Sequence, residues 1–353
     1  MITDRSVFRD DTPPRELMHR ESEVESLLRA WGPTLHGEAG DEVILSGSSG
    51  VGKTSLAKHT IDRLEARDTV DHCYIECLGV SSDALLRDVI HAHPEASVPG
   101  RDATPAALTE ALREAVERPM IVVLDEIEGL PDSDALDRLA DVPQLSTVAI
   151  CHDATRWRTR LGREDVDARY QDATHIAVDR FGVSQLADIL RARARAGLAD
   201  DVVTRSQLEA IGDEVAGVAR FGIQALRAAA ERADERGVYR IHDADVDASF
   251  ERARQRIRKM NLRSLTLHHH VLYALVHAAG ELSGVELHER YDAIAPRAYA
   301  ESTLTPIVRR TRRNHLRKLE AYGLITREGE GSTQYAVVDA SIQSPITIGK
   351  IHS

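Results

Sequence analysis

The 353-residue chain has only three cysteines, Cys73, Cys77 and Cys151. So few thiols, odd in number, exclude a disulfide scaffold and fit a reducing cytoplasm. Cys73 and Cys77 flank a β-like "YIE" with no second pair, so nothing completes a tetrahedral zinc site. No apolar run approaches the roughly 20 residues that span a bilayer, and the opening "MITDRSVFRDDTPP" is not a signal peptide. A membrane partner is therefore not expected. Internal repeats and long low-complexity stretches are absent as well. Lysine is scarce: Lys53, Lys58, Lys259, Lys318 and Lys350 are the only ones, so nearly all positive charge is arginine. That bias suits a salty cytoplasm, and a GC-rich genome produces part of it. Taken whole, the net charge of −12 argues against nucleic acid. From Lys259 onward, however, 12 Lys and Arg face 9 Asp and Glu, a local +3 that leaves −15 on the remainder. An acidic body with a basic end points to a separate nucleic-acid-binding module.

What is present begins with "GSSGVGKTS", Gly47 to Ser55, directly after the apolar "VIL" of Val43 to Leu45. Gly47, four residues, Gly52, Lys53 and Thr54 form the phosphate-binding loop pattern. Glycines let consecutive amides curl round an anion, and the following helix points its positive end at the same place. The cradle comprises Gly47, Gly50, Val51, Gly52, Lys53, Thr54 and Ser55. Lys53 is placed to reach the β- and γ-phosphates and Thr54 to ligate Mg²⁺. Asp125 and Glu126 close the apolar run "MIVVLDE". A carboxylate at the end of an inner strand can hold the metal, and a second one can take a proton from the attacking water. Asp125 is the metal-side acid, with Thr54, and Glu126 the general base. Guanine is read by an Asn-Lys-x-Asp motif, and neither of the two asparagines, Asn261 and Asn314, begins one. The expected nucleotide is ATP.

The pattern divides the chain in three. Residues 1–179 alternate strands and helices, with apolar strand runs buried on both faces, as in a parallel α/β sheet. Residues 180–258 lose the β signal and read as an all-helical lid, including one helix over "DADVDASFERARQRIRKM". Residues 259–353 read helix, helix, helix and then two β runs in "LITREGEGSTQYAVV", the layout of a winged helix-turn-helix. In its third helix Thr305 caps, Pro306 starts and Gly323 ends. Val308, Leu316 and Leu319 face inward, while Arg309, Arg310, Arg313 and Arg317 form an outward stripe suited to guanine edges and phosphates in a major groove. Arg327, Ser332, Thr333 and Gln334 belong to the wing, near backbone phosphates. His268, His269 and His270 point three ways on one helix, partly core and partly surface.

Together, "MHRESEVESLLRAW", "GSSGVGKTS", "VVLDEIEGL", "FGVSQLADILRARA" and "GVARFGIQALRAAAERA", followed by a winged helix, resemble the archaeal origin-recognition/cell-division-control initiators, which are AAA+ ATPases. The resemblance covers nearly the whole chain. It implies that His19–Arg20–Glu21 packs near the adenine and that Phe181 stands where the family has a tyrosine beside the base. It also implies that Arg193 contacts nucleotide, that Arg220 meets the γ-phosphate from the lid, and that Arg169 lies in the finger region acting on a neighbouring subunit. At the end of "STVAIC" the family places an asparagine that orients the attacking water; this chain has His152. An imidazole lacks the amide's paired donor and acceptor, so slow turnover is expected. The expected function is an ATP-switched initiator on double-stranded origin DNA. Its implied partners are a replicative helicase or other initiator subunits, and an oligomer on DNA is compatible with that role. The alternative is a divergent paralogue that holds ATP and regulates from DNA without starting replication.

Overall fold

The computed structural model describes residues 1–10, 12, 16–93, 96–100, 102–130, 133–161, 169–302, 304–329 and 333–346. The chain divides into two compact units, Met1–Phe250 and Glu251–Ser353. In the first, strands β1 (Val43–Ser46), β2 (Asp71–Glu76), β3 (Met120–Asp125), β4 (Leu145–Cys151) and β5 (Thr174–Ala177) form one parallel sheet in the order β2-β3-β4-β1-β5. Successive strand residues point to opposite faces, and both faces are covered, which is why the inner strands are apolar throughout. Val43, Leu45, Ile121, Val123, Val148 and Ile150 pack with helices α1 (Glu21–Trp31) and α2 (Lys53–Glu65). Ile44, Val122, Leu124 and Ala149 pack on the other side with α3 (Ser82–Ala92), α4 (Pro105–Ala115), α5 (Asp134–Ala140) and α6 (Ala154–Leu161). Strand β5, four residues of mixed burial, carries little sequence signal of its own.

The strand order matters for function. It sets β4 between β1 and β3, so the loop after β1, the residue after β4 and the acids ending β3 share one edge of the sheet. Ligands in parallel sheets bind at such carboxyl ends.

Helices α7 (Val183–Gly197), α8 (Arg205–Glu214), α9 (Ala219–Glu235) and the short α10 (Asp243–Asp247) complete the first unit. The amino-terminal residues are sewn onto them. The Met1 ammonium pairs with Asp234 at 2.9 Å, the Thr3 amide donates to the Gly197 carbonyl at 2.9 Å, and Phe8 is wholly buried.

Helix α11 (Ser249–Ser264) spans the division between the units, and the expected single helix over residues 243–260 is broken at Ala248. The second unit then holds α12 (Leu267–Ala279), β6 (Glu281–Ser283), α13 (Gly284–Ala298), α14 (Arg309–Ala321), β7 (Ile325–Glu328) and β8 (Gln334–Val337), with an antiparallel sheet ordered β6-β8-β7. Three residues at β6 complete a sheet for which the sequence showed two strands. The third helix begins at Arg309 rather than Pro306, and Val308 is its extended N-cap, with φ −73° and ψ 161°. Tertiary bonds hold the preceding residues out of the helix. The Ile307 amide donates to the Tyr291 hydroxyl at 3.1 Å, and the Ile307 carbonyl accepts from Arg312 Nε at 2.9 Å. Val308, expected to face inward, is 68% exposed, whereas Leu316 and Leu319 are buried as expected. Gly323, with φ +65°, follows the helix end at Tyr322.

Candidate nucleotide site and nucleic-acid interface

The phosphate loop turns on glycine, at Gly47 for want of space and at Gly52 for its positive φ. A Cβ on Gly47, at φ +147°, would stand 2.3 Å from the Val178 carbonyl oxygen. Gly52, at φ +102°, is the N-cap of α2, and the space where its Cβ would project is open, leaving the helix amino end accessible. Lys53 is buried, and its Nζ donates to the carbonyls of Gly47 at 2.7 Å and Ser48 at 3.0 Å. Thr54 Oγ1 donates to Asp125 Oδ2 at 2.6 Å, joining the loop to the end of β3. Burial pushes the Lys53 ammonium below its ordinary pKa against the pull of Asp125 and Glu128. Burial likewise raises the Asp125 carboxyl, opposed by the Thr54 hydrogen bond and reinforced by Glu126. Both charges are thus desolvated more than they compensate each other. An open cradle, a buried lysine and a threonine–carboxylate pair fit a nucleoside triphosphate with its divalent ion.

Glu126 leaves β3 in the left-handed region, φ 53° and ψ 45°, a conformation that costs a non-glycine residue energy and is found at functional turns. Two residues on, Glu128 reaches across to the end of β4. Its Oε1 accepts from the His152 amide at 2.6 Å and from the Asp153 amide at 3.4 Å, and its Oε2 lies 3.8 Å from His152 Nδ1. His152 joins Ser46, Gly47, Asp153, Thr155, His175 and Asp179 in an open pocket of about 250 Å³ at the carboxyl ends of β4, β1 and β5. Ser46 Oγ and His175 Nε2 are 2.8 Å apart there. Sequence reading missed Glu128, Ser46 and His175. Glu128 belongs to no motif, and only the alignment of β3 with β4 brings it to His152.

On the expected base side, Arg20 is buried. It donates to the carbonyls of Val51 at 3.3 Å and Asp179 at 2.5 Å, pairs with Glu23 at 2.9 Å, and stacks 3.9 Å over the Phe181 ring. Arg20 and Phe181 are therefore in contact and tied to the loop. His19 pairs with Asp188 of α7 at 3.1 Å. Arg220 has its amide on the Gly50 carbonyl at 3.2 Å, which puts the lid helix against the loop, while its Nε donates to Asp10 at 2.5 Å. Arg193 is tied to the amino-terminal segment, donating to the Val7 carbonyl at 2.7 Å.

Arg169 lies apart from these residues. Its guanidinium is bound by Glu42, just before β1, and donates to the carbonyl of Leu145, the first residue of β4, at 3.2 Å. That is the amino edge of the sheet, opposite the phosphate loop. Within this chain the guanidinium is held by a carboxylate, away from the chain's own phosphate loop.

In the second unit Arg309, Arg310, Arg313 and Arg317 are all exposed on α14, and Arg327 is exposed on β7. Ser332 lies outside the described residues. Arg312, in the same run, is 5% exposed. It stacks 3.9 Å over Tyr291, pairs with Asp292, and donates to the Ile307 and His288 carbonyls. Behind the helix His315 Nδ1 meets His269 Nε2 at 2.9 Å, and His269 Nδ1 meets Thr266 at 2.9 Å. His268 bonds Tyr299 at 2.7 Å, and His270 lies 2.8 Å from the Leu262 carbonyl. Burial pushes His269 down to about 2 and His315 down to about 4. Burial favours the neutral form of all four, His270 being only half-buried, and no metal-holding cluster occurs among the described residues.

The AAA ATPase domain family matches residues 16–151. The chain is similar to ORC1-type DNA replication protein 9 of Halobacterium salinarum, 31% identical over 98% of this chain and 96% of that protein. ORC1-type DNA replication protein 1 of the same organism is 29% identical over 82% and 95% of the two chains. Among solved structures, the Aeropyrum pernix ORC1 protein in complex with DNA has a TM-score of 0.68 at 23% identity, covering 95% of this chain and 93% of that one. The Aeropyrum pernix ORC2 protein, in ADPNP–ADP complexes, has a TM-score of 0.62 at 23% identity, covering 96% and 95%. At that identity these likenesses carry the fold: a parallel AAA+ sheet with a helical lid, followed by a winged helix.

Proposed function

The chain belongs to the ORC1-type DNA replication proteins, and we propose that within that family it is an initiator that binds double-stranded origin DNA and uses ATP as its switch. The α/β region over 1–179, the lid over 180–258 and the winged helix over 259–353 are the working divisions of this reading. ATP would lie on the Gly47–Ser55 loop, with Arg20 and Phe181 beside the base and Arg220 on the lid side. A magnesium ion, held by Thr54 and Asp125, would supply charge neutralisation to the phosphates. In hydrolysis the oxygen of water bonds to the γ-phosphorus and the bond to the β–γ bridging oxygen breaks, leaving ADP. Glu126 takes the water's proton.

The observation that carries the DNA half is the sorting of arginines on α14. One of five is drawn into the core while Arg309, Arg310, Arg313 and Arg317 stay exposed on the outer face of a helix whose inner face packs into its unit. Guanidinium groups so arranged suit phosphates and guanine edges. Loading of a helicase, contact with other initiator subunits and assembly on DNA follow from this reading. The regulator reading is favoured by His152 in the water-orienting position. Duplex affinity with ATP, with ADP and without nucleotide tests the switch: affinity should differ between ATP and ADP in the parent and not in Lys53→Ala. Equal affinities in all arms of the parent would refute a nucleotide-controlled initiator.

A further inference from the structure

Resting on the ATP-hydrolysis reading, we infer that Glu128 is a positioning residue that makes His152 serve in place of an amide side chain. The geometry is a clamp between two adjacent strands. Glu128 stands three residues past Asp125, and its Oε1 holds the amides of His152 and Asp153 at 2.6 Å and 3.4 Å. The other oxygen, 3.8 Å from Nδ1, faces the imidazole edge, and both side chains are partly exposed, 40% for His152 and 23% for Glu128. A carboxylate facing Nδ1 at that distance favours the tautomer with its proton on Nδ1 and biases the ring's orientation. Lys53 lies within the field of Glu128 on one side. Asp153, His175 and Asp179 share the pocket wall with the ring on the other.

An asparagine at this position would orient water without any partner. A histidine needs one, because a free imidazole samples two tautomers and a range of ring angles. Glu128 supplies that partner through two separable contacts: backbone amides to one oxygen, and the ring to the other. A glutamine retains the first and loses the charge facing the second.

This separation makes the test specific. Single-turnover hydrolysis and ATP affinity are measured for the parent, Glu128→Gln, His152→Asn and the double variant, with thermal melts for each. Glu128→Gln should slow hydrolysis by about 10- to 100-fold with unchanged ATP affinity, the loss expected when a group loses its orienting partner. In the His152→Asn background the same change should have no further effect, since coupled residues are non-additive. A purely structural role for Glu128 would lower both backgrounds alike. Independently of activity, ¹⁵N NMR of nucleotide-free protein should show the His152 ring, assigned by its loss in His152→Asn, protonated at Nδ1. Glu128→Gln should change that ring's signals. Equal rates in parent and Glu128→Gln, or equal losses in both backgrounds, overturn the inference, as does a His152 ring indifferent to the substitution. A parent that binds ATP but shows no turnover refutes the hydrolysis reading instead; the ring spectrum then still decides the contact.

Discussion

Lys53 and Asp125 illustrate how a site is built from charges that the fold alone serves poorly. Burial lowers the Lys53 pKa and raises that of Asp125, so each is held at a cost that a bound phosphate and divalent ion would relieve. Lys53→Ala removes the loop's only cation and should abolish ATP binding; calorimetric titration with an affinity equal to the parent's would disprove the assignment. Glu126→Gln should leave ATP bound while reducing turnover by about 100-fold or more, because an amide cannot accept the water's proton. Its left-handed backbone, set by the turn after β3, is retained by either side chain. His152→Asn restores the amide whose paired donor and acceptor the imidazole lacks, and hydrolysis should rise. A fall in rate would show the histidine already well placed by Glu128.

At the scale of the element, α14 sets two chemically identical residues to opposite work. Arg312 and Arg313 are neighbours, yet a turn of about 100° separates them on a helix. Arg312 points back to Tyr291, Asp292 and the Ile307 carbonyl, and Arg313 points out. Arg312→Ala should lower the stability of the second unit by about 2 kcal/mol through lost hydrogen bonds and stacking. Arg313→Ala should leave it nearly unchanged. On DNA the order reverses. Each phosphate contact contributes roughly −0.9 to the log–log salt slope, so changing Arg313 and Arg317 together to alanine should flatten it by roughly 1 to 2 units. Duplex affinity at several salt concentrations, with melts as control, measures both effects; parental slope and affinity in a folded double variant would leave the stripe as solvated surface.

For the whole molecule, the two units differ in what acid does to them. His269 and His315 are kept neutral by burial, with pKa values pushed to about 2 and about 4 from an ordinary 6.5. Depressed folded values mean the unfolded chain takes up protons first as pH falls. Their stabilisation is complete above about 6.5 and is lost progressively below it, down to about 4 for His315 and about 2 for His269. Both tryptophans, Trp31 and Trp157, lie in the first unit. Tryptophan fluorescence therefore follows the first unit, while far-ultraviolet circular dichroism follows both. Between pH 7 and about 4.5 the dichroism melt should gain an earlier transition that fluorescence does not share. Coincident melts throughout would mean that the histidine core is not the acid-labile part.

Local chemistry by itself determined the phosphate loop, the acids after β3, the parallel α/β character and the winged-helix layout. Glycine spacing, apolar runs and an arginine-rich helix each act within a few residues, so the sequence displays them directly. The start of α14 escaped it because Pro306 is a good first helical residue locally, and the bonds of Ile307 to Tyr291 and Arg312 come from elsewhere in the unit. The partner of Arg169 was hidden for a similar reason: Glu42 is 127 residues away, across the amino edge of the sheet. Glu128 was invisible as a partner of His152 until β3 and β4 lay side by side. Residue type and spacing are local and sequence carries them; which carboxylate meets which cation or imidazole is decided by strand order, which only the packed sheet fixes.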